Sequence, residues 1–183
     1  KHPQRVLDFY NMRRREVLKA SPNAAHIGIA SLEQYFRVTV VTQNVDDLHE
    51  RGGSSNVLHL HGEILKMRGE GETTVYEIKG DIHVGDCSPA GNPLRPHIVW
   101  FEEPVPMIEE AAAVCSTADV FVVIGTSLQV YPAAGLLSVV GDDVPKYIID
   151  RVIPSVHNYK NIHPIEMNAT SGVQELIQRL MTR

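Results

Sequence analysis

VFVVIGTSLQVYPAAG, residues 120–135, is the stretch that decides the fold. Its first six residues are apolar at every position, which suits a strand covered on both faces rather than one with a wet side. A Gly-Thr-Ser turn follows, and AAGLLSVV (133–140) reads as helix. The same alternation extends in both directions. Downstream, KYIID (146–150) is a strand and SGVQELIQRLM (171–181) a closing helix; upstream, MIEEAAAVCSTA (107–118) is a helix and HIVWF (97–101) a strand. VLHLH (57–61) and VTVVTQ (38–43) add two more β-branched or apolar strands. Residues 5–19 suit an amphipathic helix with Leu7, Tyr10 and Val17 near one face. The next helix is expected to begin with Ser21 as N-cap and Pro22 in its first turn, carrying Ala25, Ile29, Leu32 and Phe36 at helical spacing. Doubly apolar strands separated by helices predict an α/β fold: a doubly wound parallel sheet, covered on both sides. Residues 64–96 break the pattern with MRGEGETT and GDCSPAGNPLRP, and predict a small irregular insertion.

Composition narrows the function classes. With 183 residues and 43% hydrophobic content the chain can bury a sizeable core. Its net charge is −5, and the one basic run is Arg13-Arg14-Arg15, so no electrostatic footprint for nucleic acid is expected. At least two of those arginines are expected on a solvated helix face. No apolar run approaches the roughly 20 residues of a membrane span, and no signal-peptide pattern is present. Cys87 and Cys115 are the only cysteines, too few for a disulfide framework or a four-thiolate zinc site, which points to a reducing, intracellular (cytoplasmic) setting. The first residues are already helical and lack an initiating Met.

Polar residues collect where strands end. VTVVTQ runs into Asn44, Asp46 and Asp47; VLHLH ends at His61-Gly62-Glu63; VFVVIG ends in Gly125-Thr126-Ser127; KYIID ends in Asp150. In a parallel sheet these exits face one crevice, where ligands of such sheets bind. A GTS turn can present hydroxyls and backbone N–H groups to phosphate, although ordinary turn chemistry explains it equally. Asp150 can accept from a ribose diol or serve as a surface turn residue. His59 and His61 lie two apart on a strand and share a face. His59 reads as structural, whereas His61 sits at the exit beside a glycine.

TQNVDDLHERGG (42–53), LHLHGE (58–63), HIVWFEE (97–103) and GTSLQVYPAAG (125–135), in this order and at these spacings, resemble the sirtuins. These are NAD-dependent protein lysine deacylases with a Rossmann-like NAD-binding domain, and the resemblance spans nearly the whole chain. FYNMRRR adds a finer likeness: Tyr10 and Arg13 match the Tyr-x-x-Arg pair of the class that removes succinyl and malonyl groups. A guanidinium can fork onto an acyl carboxylate while a phenol adds a second bond.

The resemblance implies that NAD is consumed, that an acyl-lysine protein or peptide is the partner, and that the acyl group passes to ADP-ribose as nicotinamide leaves. It gives His61 the role of general base, and Gln43, Asn44 and Asp46 the nicotinamide and ribose contacts, Asn44 and Asp46 close to the chemistry. Gly125, Thr126 and Ser127 become the phosphate and ribose loop, and Asp150 the adenine-ribose contact, favouring NAD over NADP. The peptide is expected to lie as an added strand along residues 100–103, with Val99 and Phe101 near the lysine stem. On this likeness, residues 1–63 and 97–183 form the NAD-binding domain and 64–96 stands at the family's zinc module. Three departures follow. The family's N-terminal Gly-rich strand-turn-helix and Arg-bearing loop have no counterpart in this stretch; they are expected to exist outside it, because the strands present would otherwise expose apolar faces. The zinc cysteines are missing, so no zinc is expected and loop packing must replace it. Glu102 stands where the family has a glycine. Alternative readings are a sirtuin-like ADP-ribosyltransferase or NAD hydrolase, and a catalytically weak module that senses NAD or ADP-ribose.

Overall fold

Residues 2–182 are described by the computed structural model. In chain order the elements are α1 (Pro3–Lys19), α2 (Ala24–Ser31), β1 (Val40–Thr42), α3 (Leu48–Arg51), β2 (Val57–His59), β3 (Gly62–Gly69), β4 (Val75–Glu77), β5 (Leu94–Ile98), α4 (Ile108–Ser116), β6 (Phe121–Ile124), β7 (Lys146–Asp150), β8 (Ile162–Glu166) and α5 (Ala169–Met181). Short 3₁₀ helices span Leu32–Gln34 and Ala133–Val139.

β1 and β2 pair in parallel, and β6, β7 and β8 form a second parallel sheet in that order. This is the α/β fold expected, with its parallel strands in two hydrogen-bonded pieces. One face of the second sheet packs Tyr147, Ile149 and Ile165 on Ala25 of α2 and on Val173 and Leu176 of α5. The other sets Val123 and Ile148 against Leu137 and Val156. Gly172 lets α5 come close: a Cβ there would lie 2.2 Å from the Ile149 side chain. A further cluster joins Leu58 and Leu60 to Ala111 and Cys115 of α4, with Val41 and Phe121 partly buried against it. The two sheets therefore share a core without sharing hydrogen bonds.

Several local expectations are corrected. α2 is capped by Asn23, not Ser21: the Asn23 Oδ1 accepts from Ala25 and His26 N–H groups, and His26 Nδ1 accepts the Asn23 N–H in return. That reciprocal box satisfies orphan amides a serine two residues earlier could not reach. Residues 133–139 form a 3₁₀ rather than an α-helix. β8 carries no clear strand pattern in the sequence, because IHPIE mixes a proline and charge into its run; Pro164 is tolerated because β8 is an edge strand.

HIVWF is not a strand of the parallel sheet. The strand there is β5, which ends at Ile98 and pairs antiparallel with β3. After it the chain turns, with Glu102 in the left-handed region at φ 72° and the Trp100 N–H donated to Glu103 Oε2 at 2.9 Å. β4, β3 and β5 make a three-stranded antiparallel sheet, so the segment read as irregular carries regular pairing. Its long β4–β5 connection is gathered by Glu72, whose Oε1 accepts from Ser88 Oγ and, at 2.7 Å, from Asn92 Nδ2. One carboxylate thus ties the β3–β4 turn to the β4–β5 connection.

α1 is latched to this small sheet. Asn11 exchanges two hydrogen bonds with the Ile82 backbone, at 2.9 and 3.0 Å. Arg14 is 0% exposed and donates to the carbonyls of Ile64 and Gly80. Of the arginine triplet, Arg13 and Arg15 stay in solvent, paired with Glu16 and Asp81.

Candidate active site

The parallel register of β1 and β2 sets Thr42 beside His59, so both strands exit at one end. Thr42 Oγ1 accepts the Asn44 N–H at 3.1 Å and Thr42 O accepts the Leu60 N–H at 2.9 Å. Asp46 Oδ1 accepts the Leu48 N–H, starting α3. His61 comes next. Its Nδ1 lies 3.2 Å from the Gln43 carbonyl. A carbonyl only accepts, so Nδ1 carries the proton and Nε2 is left as the basic nitrogen. The His61 carbonyl accepts the Val99 N–H at 3.0 Å. Gln43, His61 and Val99 are thus tied together through main chain, which fixes the imidazole whatever the neighbouring side chains do. Gly62 follows at φ +80°, and a Cβ there would stand 2.1 Å from the His97 carbonyl oxygen.

His59 behaves as a structural residue. Its side chain is 8% exposed, with Nδ1 3.2 Å from the Asn44 carbonyl and Nε2 2.7 Å from Glu50 Oε1. It holds the Asn44 backbone to α3. Glu50, His59 and Glu63 bring ligand atoms within 4.8 Å of one another, the one such group among the described residues. A cation is already present there, since Lys66 Nζ lies 2.8 Å from Glu63 Oε2. Cys87, the lone thiol of residues 64–96, is free and exposed.

At the other sheet, Gly125 follows β6 at φ +63° and donates its N–H to the Ile149 carbonyl. Thr126 Oγ1 accepts the Leu128 N–H at 3.3 Å. Ser127 and Asp150 then line one cleft of about 430 Å³ together with Leu128, Gln129, Val152, Pro154 and Ser155. Asp150 spends one oxygen on the Val152 N–H at 3.2 Å, leaving the other for a ligand hydroxyl. A carboxylate, a hydroxyl and apolar walls in one cleft fit a nucleoside diol and its base. The wall from Val152 to Ser155 was not foreseen; its only signal was its position after a strand exit. No α-helix N-terminus follows the GTS turn, so phosphate binding there relies on loop amides and hydroxyls.

The acyl-recognition pair is placed on α1. Tyr10 is half-buried and offset-stacked on Trp100, with ring centroids 6.3 Å apart and planes 24° apart. Arg13 is exposed and donates to Glu16 at 3.0 Å. Phe101 is 97% exposed, an apolar ring with nothing yet covering it. Glu103 is held by Arg95 at 2.7 and 3.0 Å, and these hydrogen bonds keep its carboxyl below the usual range.

Three histidines near the site are pushed below their ordinary value of 6.5 by burial: His26, His49 and His97. His26 and His49 meet edge to face at 4.7 Å, and His49 Nδ1 is buried without a partner. Because the unfolded chain takes up protons first, stability is full above about pH 6.5 and is lost as pH falls through that value. Urea midpoints are therefore expected to drop between pH 7.5 and 5.5, and His49→Phe to flatten that drop. A midpoint unchanged over this interval would contradict the assignment.

The family model described as Sir2 family matches residues 1–132, and the chain belongs to the Sir2 family. A Helicobacter pylori protein named NAD-dependent protein deacylase is 46% identical over 182 residues, covering 99% of this chain and 80% of the relative. One of the same name from Bacteroides thetaiotaomicron is 46% identical over 186 residues, covering 98% and 80%. Among solved structures, an ADP ribose complex of a Sir2 homologue mutant matches with a TM-score of 0.89 at 33% identity, over 98% of this chain and 75% of that one. No helix among the described residues is long and apolar enough to cross a membrane.

Proposed function

We propose that this chain is an NAD-dependent protein lysine deacylase that moves the acyl group of a modified lysine to ADP-ribose, with nicotinamide released, and that it favours acyl groups ending in a carboxylate. The observation carrying the reading is His61, at a parallel-strand exit with Nδ1 committed to the Gln43 carbonyl and Nε2 left basic. Membership of the Sir2 family and the names of the relatives support the reaction class.

Bound NAD supplies a ribose carbon whose bond to a cationic leaving group breaks easily. The rest is work for the chain. His61 Nε2 takes a proton from a ribose hydroxyl, a task matched to imidazole near neutral pH. Gln43, Asn44 and Asp46 line the same exit, where Asn44 and Asp46 side chains can hold the leaving amide and the ribose. Gly125, Thr126 and Ser127 offer amides and hydroxyls to phosphate, and Asp150 takes the adenine ribose diol while repelling a 2′-phosphate. Residues 1–63 and 97–183 make the NAD-binding unit, with 64–96 as the small insertion. An acyl-lysine peptide adds as a strand by residues 100–103, its lysine stem between Val99 and the uncovered Phe101. Tyr10 and Arg13 meet the acyl carboxylate. The Arg13–Glu16 pair is an exposed helix pair contributing only a few tenths of a kcal/mol, so a partly desolvated carboxylate displaces it readily. With only two cysteines in the sequence, Cys87 and Cys115, the setting is read as reducing and cytoplasmic.

Succinyl-, malonyl- and acetyl-lysine peptides of one sequence, incubated with full-length protein and NAD and followed by mass spectrometry, test this. Loss of the acidic acyl groups at more than about tenfold the efficiency of acetyl is expected, from one charge-assisted fork. Removal of acetyl alone would refute the role of Tyr10 and Arg13. Nicotinamide release with no acyl loss would favour an ADP-ribosyltransferase or NAD hydrolase, and NAD binding without turnover a sensing module.

A further inference from the structure

Trp100 is where the peptide-binding loop and the acyl-recognition helix meet. Its indole touches two side chains of different origin. The Arg95 guanidinium carbon lies 3.6 Å from the ring centroid, a cation–π contact. Tyr10, on α1, stacks on the same indole with nearly parallel planes.

Arg95 is itself immobilised. Its Nη1 and Nη2 fork onto Glu103, and Nη2 also donates to the Ile98 carbonyl at 3.0 Å. Glu103 in turn accepts the Trp100 backbone N–H. Ring and backbone of Trp100 are thus held by one ion pair. Among the described residues, the other ring contact of Tyr10 is the edge of Phe9 at 5.2 Å. The indole is therefore the flat support against which the phenol is set. Burial pushes the Tyr10 hydroxyl above its ordinary value, so it keeps its proton and can donate at any physiological pH.

Val99 and Phe101, the chain neighbours of Trp100, are the residues assigned to the lysine stem. A bound peptide that orders residues 99–103 would fix this support at the same time. We propose that Trp100 is a positioning residue for acyl selectivity: held by Arg95 and Glu103, it fixes the Tyr10 phenol where the terminal carboxylate of an acyl group arrives. The inference rests on the preference for acidic acyl groups stated above.

Efficiency on succinyl- and acetyl-lysine peptides of one sequence, at saturating NAD, reads it out. Trp100→Leu is expected to lower the succinyl-to-acetyl ratio about tenfold, mainly through the KM of the succinyl peptide. Trp100→Phe keeps a flat ring and should hold the ratio within about threefold. Tyr10→Phe should cause a similar loss, and the Tyr10→Phe/Trp100→Leu pair no more than either alone, because both act at one hydroxyl. Trp100→Met carries the same expectation should the Leu variant not fold. Equal losses on both peptides, an unmoved ratio, or additive losses in the pair would each overturn the proposal while leaving the acidic-acyl reading intact. A wild-type protein without succinyl preference would remove both.

Discussion

His61→Ala is expected to lower turnover about a thousandfold while leaving NAD affinity within about threefold, the scale on which a general base contributes. The structure gives the reason for that separation. The imidazole is the only part of residue 61 that offers a basic nitrogen, whereas the backbone carries the contacts that shape the site. The Val99 N–H still finds the residue-61 carbonyl in the variant, and the Leu60 N–H still finds Thr42. Only the Nδ1 bond to the Gln43 carbonyl disappears with the ring. His61→Asn serves as a control, since its amide can keep a donor near Gln43 without supplying a base; it should be as slow as the alanine variant. Steady-state rates and calorimetric NAD titrations check both halves. Turnover at the wild-type level would dismiss His61 as the base, and a loss of NAD affinity parallel to the rate would make it a binding residue.

Gly62→Ala should be the most damaging small substitution, costing about 3 kcal/mol or more. Two penalties coincide there. The backbone is in the left-handed region, which costs a residue with a Cβ about 1–2 kcal/mol. The Cβ would also stand 2.1 Å from the His97 carbonyl oxygen, an atom fixed in the β3–β5 ladder where Gly62 opposes Ile98 and Glu63 opposes His97. Neither strand can retreat without moving His61 on one side or Val99 on the other, so activity should fail along with stability. Gly85→Ala is the matched comparison: its φ is +100°, but nothing lies within 4 Å of the new Cβ. It should show only the backbone penalty, about 1–2 kcal/mol. Similar urea midpoints for the two variants would refute the clash at Gly62.

The fold was legible where side chains leave no choice. Residues 120–125 and 146–150 are too apolar for any place but a covered sheet, and burial of Val123, Ile148 and Ile149 reflects this. β3 and β4 were not legible because lysine, arginine and glutamate interrupt their alternation; their pairing depends on partners across the small sheet. HIVWF carries the composition of a strand, but Arg95 reaching Glu103 curls its second half into a turn, a contact no periodicity encodes. Of the candidate site, the juxtaposition of Gln43 and His61 was legible, because parallel strands place their exits together. The Val152–Ser155 wall and the Trp100 support lie in irregular chain, whose conformation is set by single contacts rather than by pattern.

The latch between α1 and the small sheet bears on cooperativity. Asn11 and Arg14 join the helix that carries Tyr10 to the backbone of Ile64, Gly80 and Ile82. Helix and sheet are therefore expected to lose order together on denaturation rather than one after the other.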